Sequence, residues 1–107
     1  IISGQLIDNS NVLFKVSTMI EKPSVKDAPT NLAIIGRYIL TPDIFNILKN
    51  INPGINNEVQ LTDALQIQAK SGKVIALKFK GKRFDCGSIK GFVAATNHFA
   101  SKLDSSP

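Results

Sequence analysis

Short runs rich in β-branched residues alternate along this chain with segments whose apolar residues recur at helical spacing. This alternation is typical of the α/β class, in which helices pack over a sheet. Four runs predict strands, at residues 1–7, 12–20, 31–40 and 74–79. We therefore expect a mixed sheet with flanking helices, and a sheet edge that another segment must cover.

Each of the three predicted helices has its own boundary signals. Thr41 offers an N-cap hydroxyl to the first helix, the next residue is a proline suited to the first position, and the Asn-Pro-Gly run at 52–54 stops it. The second helix opens at Leu61, with Ala64 and Leu65 on its apolar face, and a Ser-Gly pair ends it. The third covers 88–102 and carries apolar residues at helical spacing.

Composition removes several classes of protein. The 107 residues carry a net charge of +5 and one residue each of cysteine and histidine, which excludes an intrachain disulfide and a Cys/His zinc site. No apolar run is long enough to cross a bilayer, so we expect no membrane partner. Cys86 is predicted to be a small packing residue, and His98 a partly exposed helix residue.

The chain opens with Ile1-Ile2, without an initiator methionine, and passes directly into a predicted strand. We therefore expect a piece of a longer protein. No internal repeat, low-complexity stretch or linker interrupts the sequence, so we expect one domain.

The segment between Lys70 and Arg83 holds six basic residues and no acidic one. This pattern raises a polyanion-binding hypothesis. However, Lys78, Lys80 and Lys82 alternate with other residues, as on the wet face of a strand. The few aromatic residues mostly occupy apolar periodic positions, so we do not expect nucleic acid as a partner.

Two acidic positions are candidates for chemistry. Glu21 and Lys22 lie side by side where a predicted strand ends at Pro23, and together they suit a sugar phosphate: a carboxylate accepts from sugar hydroxyls and an ammonium neutralises phosphate. A solubilising strand end is the alternative interpretation. Asp85 is either a ligand for Mg²⁺ or a turn and helix-capping residue ahead of Ser88.

Four sequence blocks in order carry a family resemblance. They are Ile-Glu-Lys-Pro at 20–23, APTNLAIIGRY at 28–38, NEVQLTDA at 57–64 and KGKRFDCG at 80–87. With these blocks the chain closely resembles the C-terminal part of bacterial UTP:glucose-1-phosphate uridylyltransferases. The resemblance covers nearly all of the chain from residue 1 to about 103, and the tail at 104–107 is expected to fray.

The resemblance implies the C-terminal, sugar-phosphate-binding part of a Rossmann-like nucleotidyltransferase fold. It implies a cytoplasmic enzyme that uses Mg²⁺ to make UDP-glucose and pyrophosphate from UTP and glucose 1-phosphate. A homo-oligomer is compatible with the exposed sheet edge and the C-terminal helix. A thymidylyltransferase or another sugar-1-phosphate nucleotidyltransferase is an alternative, and so is a truncated, non-catalytic module that binds protein or polyanion through residues 70–83.

The resemblance also assigns residues near the predicted strand end. Glu21 would bind glucose hydroxyls, and Lys22 would be the catalytic residue that contacts the sugar-linked phosphate and neutralises charge at the transferring group. The backbone of Ile34 would touch the sugar, with Gly36 and Tyr38 close by. From the residues themselves, Gly36 is expected to mark a close backbone approach.

Other family positions complete the implied site. Asp85 matches the second metal-binding aspartate, while Glu58 and Asp63 are expected to serve as a pocket wall and a helix cap. The family's Gly-rich G-x-G-T-R loop and its first metal-binding aspartate do not occur in these 107 residues. We therefore expect the nucleotide-binding segment to lie outside this sequence, and this chain alone not to catalyse uridylyl transfer.

Overall fold

A computed structural model of the chain describes residues 1–54 and 57–104. It contains a sheet and three helices, which confirms the α/β class. The elements in order are β1 (Ile2–Leu6), β2 (Leu13–Met19), α1 (Ile44–Asn50), α2 (Leu61–Lys70), β3 (Ile75–Leu77) and α3 (Ile89–Asp104).

The sheet has the order β1-β2-β3, and both strand pairs are antiparallel. The parallel pair of a mixed sheet is not found among the described residues. A tight loop joins β1 to β2, in which Asp8 and Asn9 adopt left-handed backbone with φ of 50° and 58°. The Ser10 hydroxyl accepts from the Val12 and Leu13 amides at 3.1 and 3.0 Å and so fixes the start of β2.

The core lies between the sheet and the face of α2. Val16 on β2 is 1% exposed and Ala64 on α2 is fully buried, so the helix approaches the strand through a small side chain. Leu65 and Ala69 complete the buried face of α2, and Ile44 from α1 closes it from the side. The apolar face predicted for the second helix is therefore confirmed.

The prediction of a buried strand at 31–40 is wrong. These residues have no regular secondary structure and are mostly exposed, although Leu32 and Ile34 pack against the core. One backbone bond, from the Ile2 amide to the Leu32 carbonyl at 2.9 Å, ties the segment to β1. At Gly36 the backbone turns to φ 75°, which interrupts any extended pairing.

The predicted strand at 74–79 exists but is shorter, because β3 covers Ile75–Leu77. The Lys78 amide still donates to the Val12 carbonyl at 2.7 Å. Lys80 and Lys82 follow in exposed irregular backbone, so their assignment to the wet face of a strand is wrong. Their predicted exposure to solvent is confirmed.

The helix boundaries differ in detail from the predicted ones. The Thr41 hydroxyl donates to the Asp43 carboxylate, and α1, which begins at Ile44, has no side-chain cap bond, so the capping role of Thr41 is wrong. Ser88 caps α3 by accepting from the Gly91 amide at 3.0 Å. Because α3 extends to Asp104, it includes the first residue of the predicted tail, and 105–107 lie outside the described residues.

The helix α3 packs against none of the other described helices and strands. Its ring contacts join His98 and Phe99 to Phe84 in the preceding loop, with centroid distances of 5.2 and 6.3 Å. The partial exposure predicted for His98 is confirmed. Within the described ranges, every helix is too short or too polar to cross a membrane.

Candidate functional site

The strongest candidate site lies where β2 leaves the sheet, and α2 holds it in place. The Met19 amide at the end of β2 donates to Gln66 Oε1 at 2.5 Å. Two residues later, Glu21 Oε2 accepts from Thr62 Oγ1 at 2.9 Å. Thr62 and Gln66 are four residues apart, on one face of the helix. Residues 19–22, where the chain leaves β2, are called the β2 exit. One face of α2 therefore fixes both the backbone and the first charged side chain of the β2 exit.

Glu21 accepts from a buried hydroxyl and acts electrostatically on the partly buried phenol of Tyr38. Thr62 is 5% exposed, so the hydroxyl that binds Glu21 Oε2 is sheltered from water. Partial burial raises the pKa of Tyr38, and the negative charge of Glu21 raises it further. Within the described part of the chain, Glu21 Oε1 accepts no hydrogen bond. We call Glu21, Tyr38 and Thr62 the Glu21 cluster, and its open oxygen is positioned to accept from a ligand hydroxyl.

Lys22 follows directly and adopts an unusual backbone. Its φ of 42° lies in the left-handed region, which side chains other than glycine seldom occupy, and Pro23 comes next. Such strain persists only where the surrounding structure imposes it. The bonds that α2 makes to Met19 and Glu21 hold the chain immediately before Lys22. The Lys22 ammonium is exposed and makes no hydrogen bond or ion pair with a described residue, so it is open to an anion.

The remaining substrate-binding candidates lie on the segment that includes Tyr38. Ile34 is half-buried against the core, which anchors the segment. Gly36 is exposed with φ 75°, and a Cβ built on it would meet no atom within 4 Å. The expected close backbone approach at Gly36 is therefore wrong among the described residues. Its glycine serves the left-handed turn that brings the chain to Tyr38.

Asp85 forms a turn ahead of α3. Its Oδ1 accepts from the Gly87 amide at 3.0 Å, so the turn interpretation is confirmed, while Oδ2 has no partner among the described residues. No hydrogen bond or ion pair of the described residues joins Asp85 to the Glu21 cluster. Cys86 is exposed, which corrects its prediction as a packing residue: the turn holds it away from the core.

One exposed carboxylate oxygen is compatible with Mg²⁺, which binds proteins through one or two carboxylates and completes its shell with water and phosphate oxygens. Asp85 fits that donor pattern. A cluster of three or more His, Cys, Asp or Glu side chains suited to a metal does not occur in residues 1–54 and 57–104. A metal on Asp85 would therefore take its other ligands from substrate, from water and from residues outside the described ranges.

The two acidic residues of the third sequence block make different contacts. Glu58 Oε2 accepts from Gln60 Nε2 at 3.1 Å, on the approach to α2. Asp63 lies exposed in the first turn of α2, where its negative charge interacts favourably with the positive end of the helix dipole. The N-cap of α2, however, has no side-chain hydrogen bond. The expected capping bond from Asp63 is therefore not formed.

Thr62 and Gln66 are site residues that the sequence analysis missed. Both are polar and lie beside the apolar face of α2, at a spacing that places them on one side of the helix. Two polar residues at this spacing beside an apolar face are the sequence pattern that could have indicated a role in binding another segment. Their partners, 41 and 47 residues away, had no signal in the sequence.

The chain is similar to a known protein family and to known whole proteins. The model for "Nucleotidyl transferase" matches residues 6–102. A UTP–glucose-1-phosphate uridylyltransferase of Pseudomonas aeruginosa is 57% identical over 97 residues, which cover 91% of this chain and 34% of that protein. A UTP–glucose-1-phosphate uridylyltransferase 2 of Streptococcus pyogenes is 52% identical over 90 residues, covering 84% and 30%. The chain spans about a third of the length of these relatives.

Solved structures similar to this chain belong to the same kind of enzyme. A crystal structure of UDP-glucose pyrophosphorylase complexed with UDP-glucose superposes with a TM-score of 0.84 at 52% identity, covering 95% of this chain and 38% of the other. A UTP-bound enzyme of the same kind from Acinetobacter baumannii gives a TM-score of 0.73 at 35% identity, covering 92% and 33%. The α/β arrangement of this chain is thus that of a segment of these proteins.

Proposed function

Because this chain belongs to the nucleotidyl transferase family, we propose that it forms the sugar-phosphate-binding part of a glucose-1-phosphate uridylyltransferase. The observation that carries the proposal is the β2 exit, where Thr62 holds the Glu21 carboxylate beside Lys22, whose ammonium has no partner among the described residues. Relatives at 57% and 52% identity bear the name of that enzyme, which supports UTP over other nucleotides.

The proposed reaction is a single phosphoryl-group substitution. A phosphate oxygen of glucose 1-phosphate attacks the α-phosphorus of UTP. The bond from that phosphorus to the bridging oxygen breaks, and the electron pair leaves with pyrophosphate. The products are UDP-glucose and pyrophosphate. Such reactions depend mainly on positioning and on stabilising the charge spread over the phosphoryl oxygens.

The residues of the β2 exit divide that work between sugar and phosphate. Glu21 Oε1 accepts from a glucose hydroxyl, while its other oxygen stays on Thr62. Lys22 contacts the phosphate on the sugar and neutralises charge as the new bond forms, so we assign it the catalytic role. The segment at 34–38 lines the sugar site, with the backbone of Ile34 against the sugar and Gly36 and Tyr38 beside it.

The family generally uses a divalent metal ion, and we propose Mg²⁺. Asp85 would hold it through the carboxylate oxygen that the Gly87 amide leaves open. When bound, Mg²⁺ neutralises phosphate oxygens of the substrates. The turn at Asp85 keeps the carboxylate in one orientation, so this residue binds and orients rather than transferring a proton.

We place the reaction in the cytoplasm, where UTP and sugar phosphates are available. The exposed and unpaired Cys86 is compatible with a reducing compartment. Fractionation of cells that produce the native protein at its natural level tests the location. Activity confined to the membrane or secreted fraction would contradict it.

The function is tested on the natural gene product that carries these residues. We expect it to make UDP-glucose from UTP and glucose 1-phosphate, with lower kcat/KM for dTTP. Lys22→Ala should lower kcat/KM by about a hundredfold, the loss typical of removing one group that stabilises transition-state charge. Lys22→Arg, which keeps the charge, is the matched control. Normal kcat/KM in Lys22→Ala would remove Lys22 from the mechanism, and equal use of dTTP would favour the thymidylyl alternative.

The 107-residue chain alone provides a second test. Because it has no G-x-G-T-R run, we expect no UDP-glucose from the purified chain when both substrates are present. We do expect it to bind glucose 1-phosphate weakly, as measured by calorimetry. UDP-glucose synthesis by this chain would show that the nucleotide is bound by residues already present in it.

A further inference from the structure

We propose that Thr62 and Gln66 form a positioning pair that sets the geometry of Glu21 and Lys22, and thereby the affinity for the sugar phosphate. The inference deepens the proposed function and rests on it for the identity of the ligand. Its structural part, that α2 fixes the β2 exit, is independent of the reaction. Neither residue is assigned a contact with substrate.

The pair acts at two points on either side of Ile20. Gln66 Oε1 takes the Met19 amide at 2.5 Å, which fixes the backbone at the end of β2. Thr62 Oγ1 donates to Glu21 Oε2 at 2.9 Å, which fixes the side chain two residues later. Lys22, with φ 42°, comes next. The strained residue thus follows a segment whose backbone and carboxylate are both held by one helix.

The helix itself is a firm support, because the face beside this pair is packed in the core. Ala64 is fully buried, and Leu65 and Ala69 are each 4% exposed. A helix anchored in this way transmits its position to the side chains beside the buried face. Thr62 is sheltered at 5% exposed, so water competes poorly for its hydroxyl.

The bond also determines which carboxylate oxygen a ligand can use. With Oε2 on Thr62, the open acceptor of Glu21 is Oε1, and the carboxylate cannot turn freely to follow a ligand. A hydroxyl in the matching place gains a bond to a carboxylate already oriented. Removing the Thr62 hydroxyl leaves the charge of Glu21 unchanged but releases its orientation. The expected consequence is weaker binding of the sugar phosphate with little effect on the nucleotide.

Two substitutions on the same helix give a matched comparison. Thr62→Val removes the hydroxyl at nearly constant volume, and Thr62→Ser restores it. Gln68→Leu is the control for general damage to α2, since Gln68 is 7% exposed and also bonds a carboxylate, donating to Asp43 at 3.1 Å. That bond joins α2 to the residue before α1, and neither Gln68 nor Asp43 is part of the proposed site.

The first measurement is steady-state kinetics on the natural gene product. In Thr62→Val we expect KM for glucose 1-phosphate to rise about tenfold, the factor set by losing one hydrogen bond to a charged group, and KM for UTP to change by less than about twofold. Thr62→Ser and Gln68→Leu should resemble the wild type in both. Equal rises in both KM values, or the same rise in Gln68→Leu, would overturn the positioning role.

The second measurement separates this inference from the proposed function, because it needs no activity. Tyr38 is the only tyrosine of the sequence and no tryptophan is present, so tyrosinate absorbance in the chain reports Tyr38 alone. Glu21 contributes to the raised pKa of Tyr38.

In Thr62→Val we expect that pKa to fall towards its ordinary value, because the released carboxylate moves out into water, and we expect no fall in Thr62→Ser or Gln68→Leu. A pKa that does not fall in Thr62→Val would overturn the inference even if the enzyme makes UDP-glucose. Conversely, if the gene product makes none, a fall in that pKa would still support the hold of α2 on Glu21.

Discussion

The helices α2 and α3 have the same kind of sequence and opposite surroundings. Both place apolar residues at helical spacing along one side. In α2 these residues are buried against β2, whereas in α3 Ile89 is 86% exposed and Leu103 is 74% exposed. Amphipathic spacing therefore identifies the face that a helix can bury, and the burial itself depends on an opposing surface. Among the described elements, α2 has such a surface and α3 does not.

The largest difference in stability between the α2 and α3 regions is expected when a charge is introduced into each. Val16→Asp places a carboxylate against α2, where an uncompensated charge costs roughly 3–5 kcal/mol, a large part of the stability of a small domain. Phe92→Asp on α3 is the matched change at a residue 60% exposed and should cost less than about 1 kcal/mol. Denaturant unfolding of the 107-residue chain measures both. Similar losses would show that α3 is packed after all.

Truncation of apolar side chains sharpens the same contrast at a smaller scale. Leu65→Ala removes a side chain that is 4% exposed and should lower the free energy of unfolding by about 2–5 kcal/mol. Val93→Ala on α3, 48% exposed, should change it by less than about 0.5 kcal/mol. Thermal unfolding followed by circular dichroism compares the two variants. A larger loss in Val93→Ala than in Leu65→Ala would reverse the comparison.

Titration of Tyr38 tests the electrostatic interaction between Glu21, which α2 holds, and the Tyr38 phenol. Glu21→Gln should lower its pKa, because the substitution removes the negative charge that opposes tyrosinate. The wild-type folded pKa lies above the ordinary value near 10, so the stabilising contribution of Tyr38 is complete below pH 10 and is lost as the pH rises through the folded pKa. Absorbance titration with Glu58→Gln as control measures the shift. An unchanged pKa in Glu21→Gln would place the carboxylate too far away.

The smallest effect is expected on the α3 side, at the single histidine. Partial burial lowers the pKa of His98, and the positive charges of Lys102 and Lys82 lower it further. A depressed folded pKa gives a stabilising contribution that is present above about pH 6.5 and lost as the pH falls through the folded value. Phe84→Ala should raise the pKa by opening the ring contact at 5.2 Å to water. NMR titration of the imidazole would refute this account if the pKa fell.

Residue patterns within a short segment correctly predicted the elements whose structure depends mainly on that segment. The polar residues at 8–11 between two apolar runs were sufficient for the β1–β2 hairpin, and the spacing of Ala64 and Leu65 was sufficient for the buried side of α2. The run at 31–40 has equal strand character, but a strand also needs a neighbour for its backbone groups. That neighbour is not among the described residues, and the left-handed Gly36 interrupts the run.

The candidate site divides in the same way. Glu21 and Lys22 are adjacent, so their chemistry and their place at a strand end could be inferred together. The turn at Asp85 follows from a hydrogen bond that spans two residues. Thr62 reaches Glu21 across 41 residues, and that contact exists only after α2 has docked on β2. Site residues that hold other residues are therefore harder to infer than residues that could bind substrate.

The left-handed backbone of Lys22 has a consequence for how this sequence can change. That conformation costs a side chain roughly 1–2 kcal/mol, and glycine or asparagine adopts it more easily. Sequences selected only for folding should therefore drift away from lysine at position 22. A library varied at that position can be screened first for protein abundance and then for UDP-glucose synthesis. We expect the first screen to enrich glycine and the second to enrich lysine.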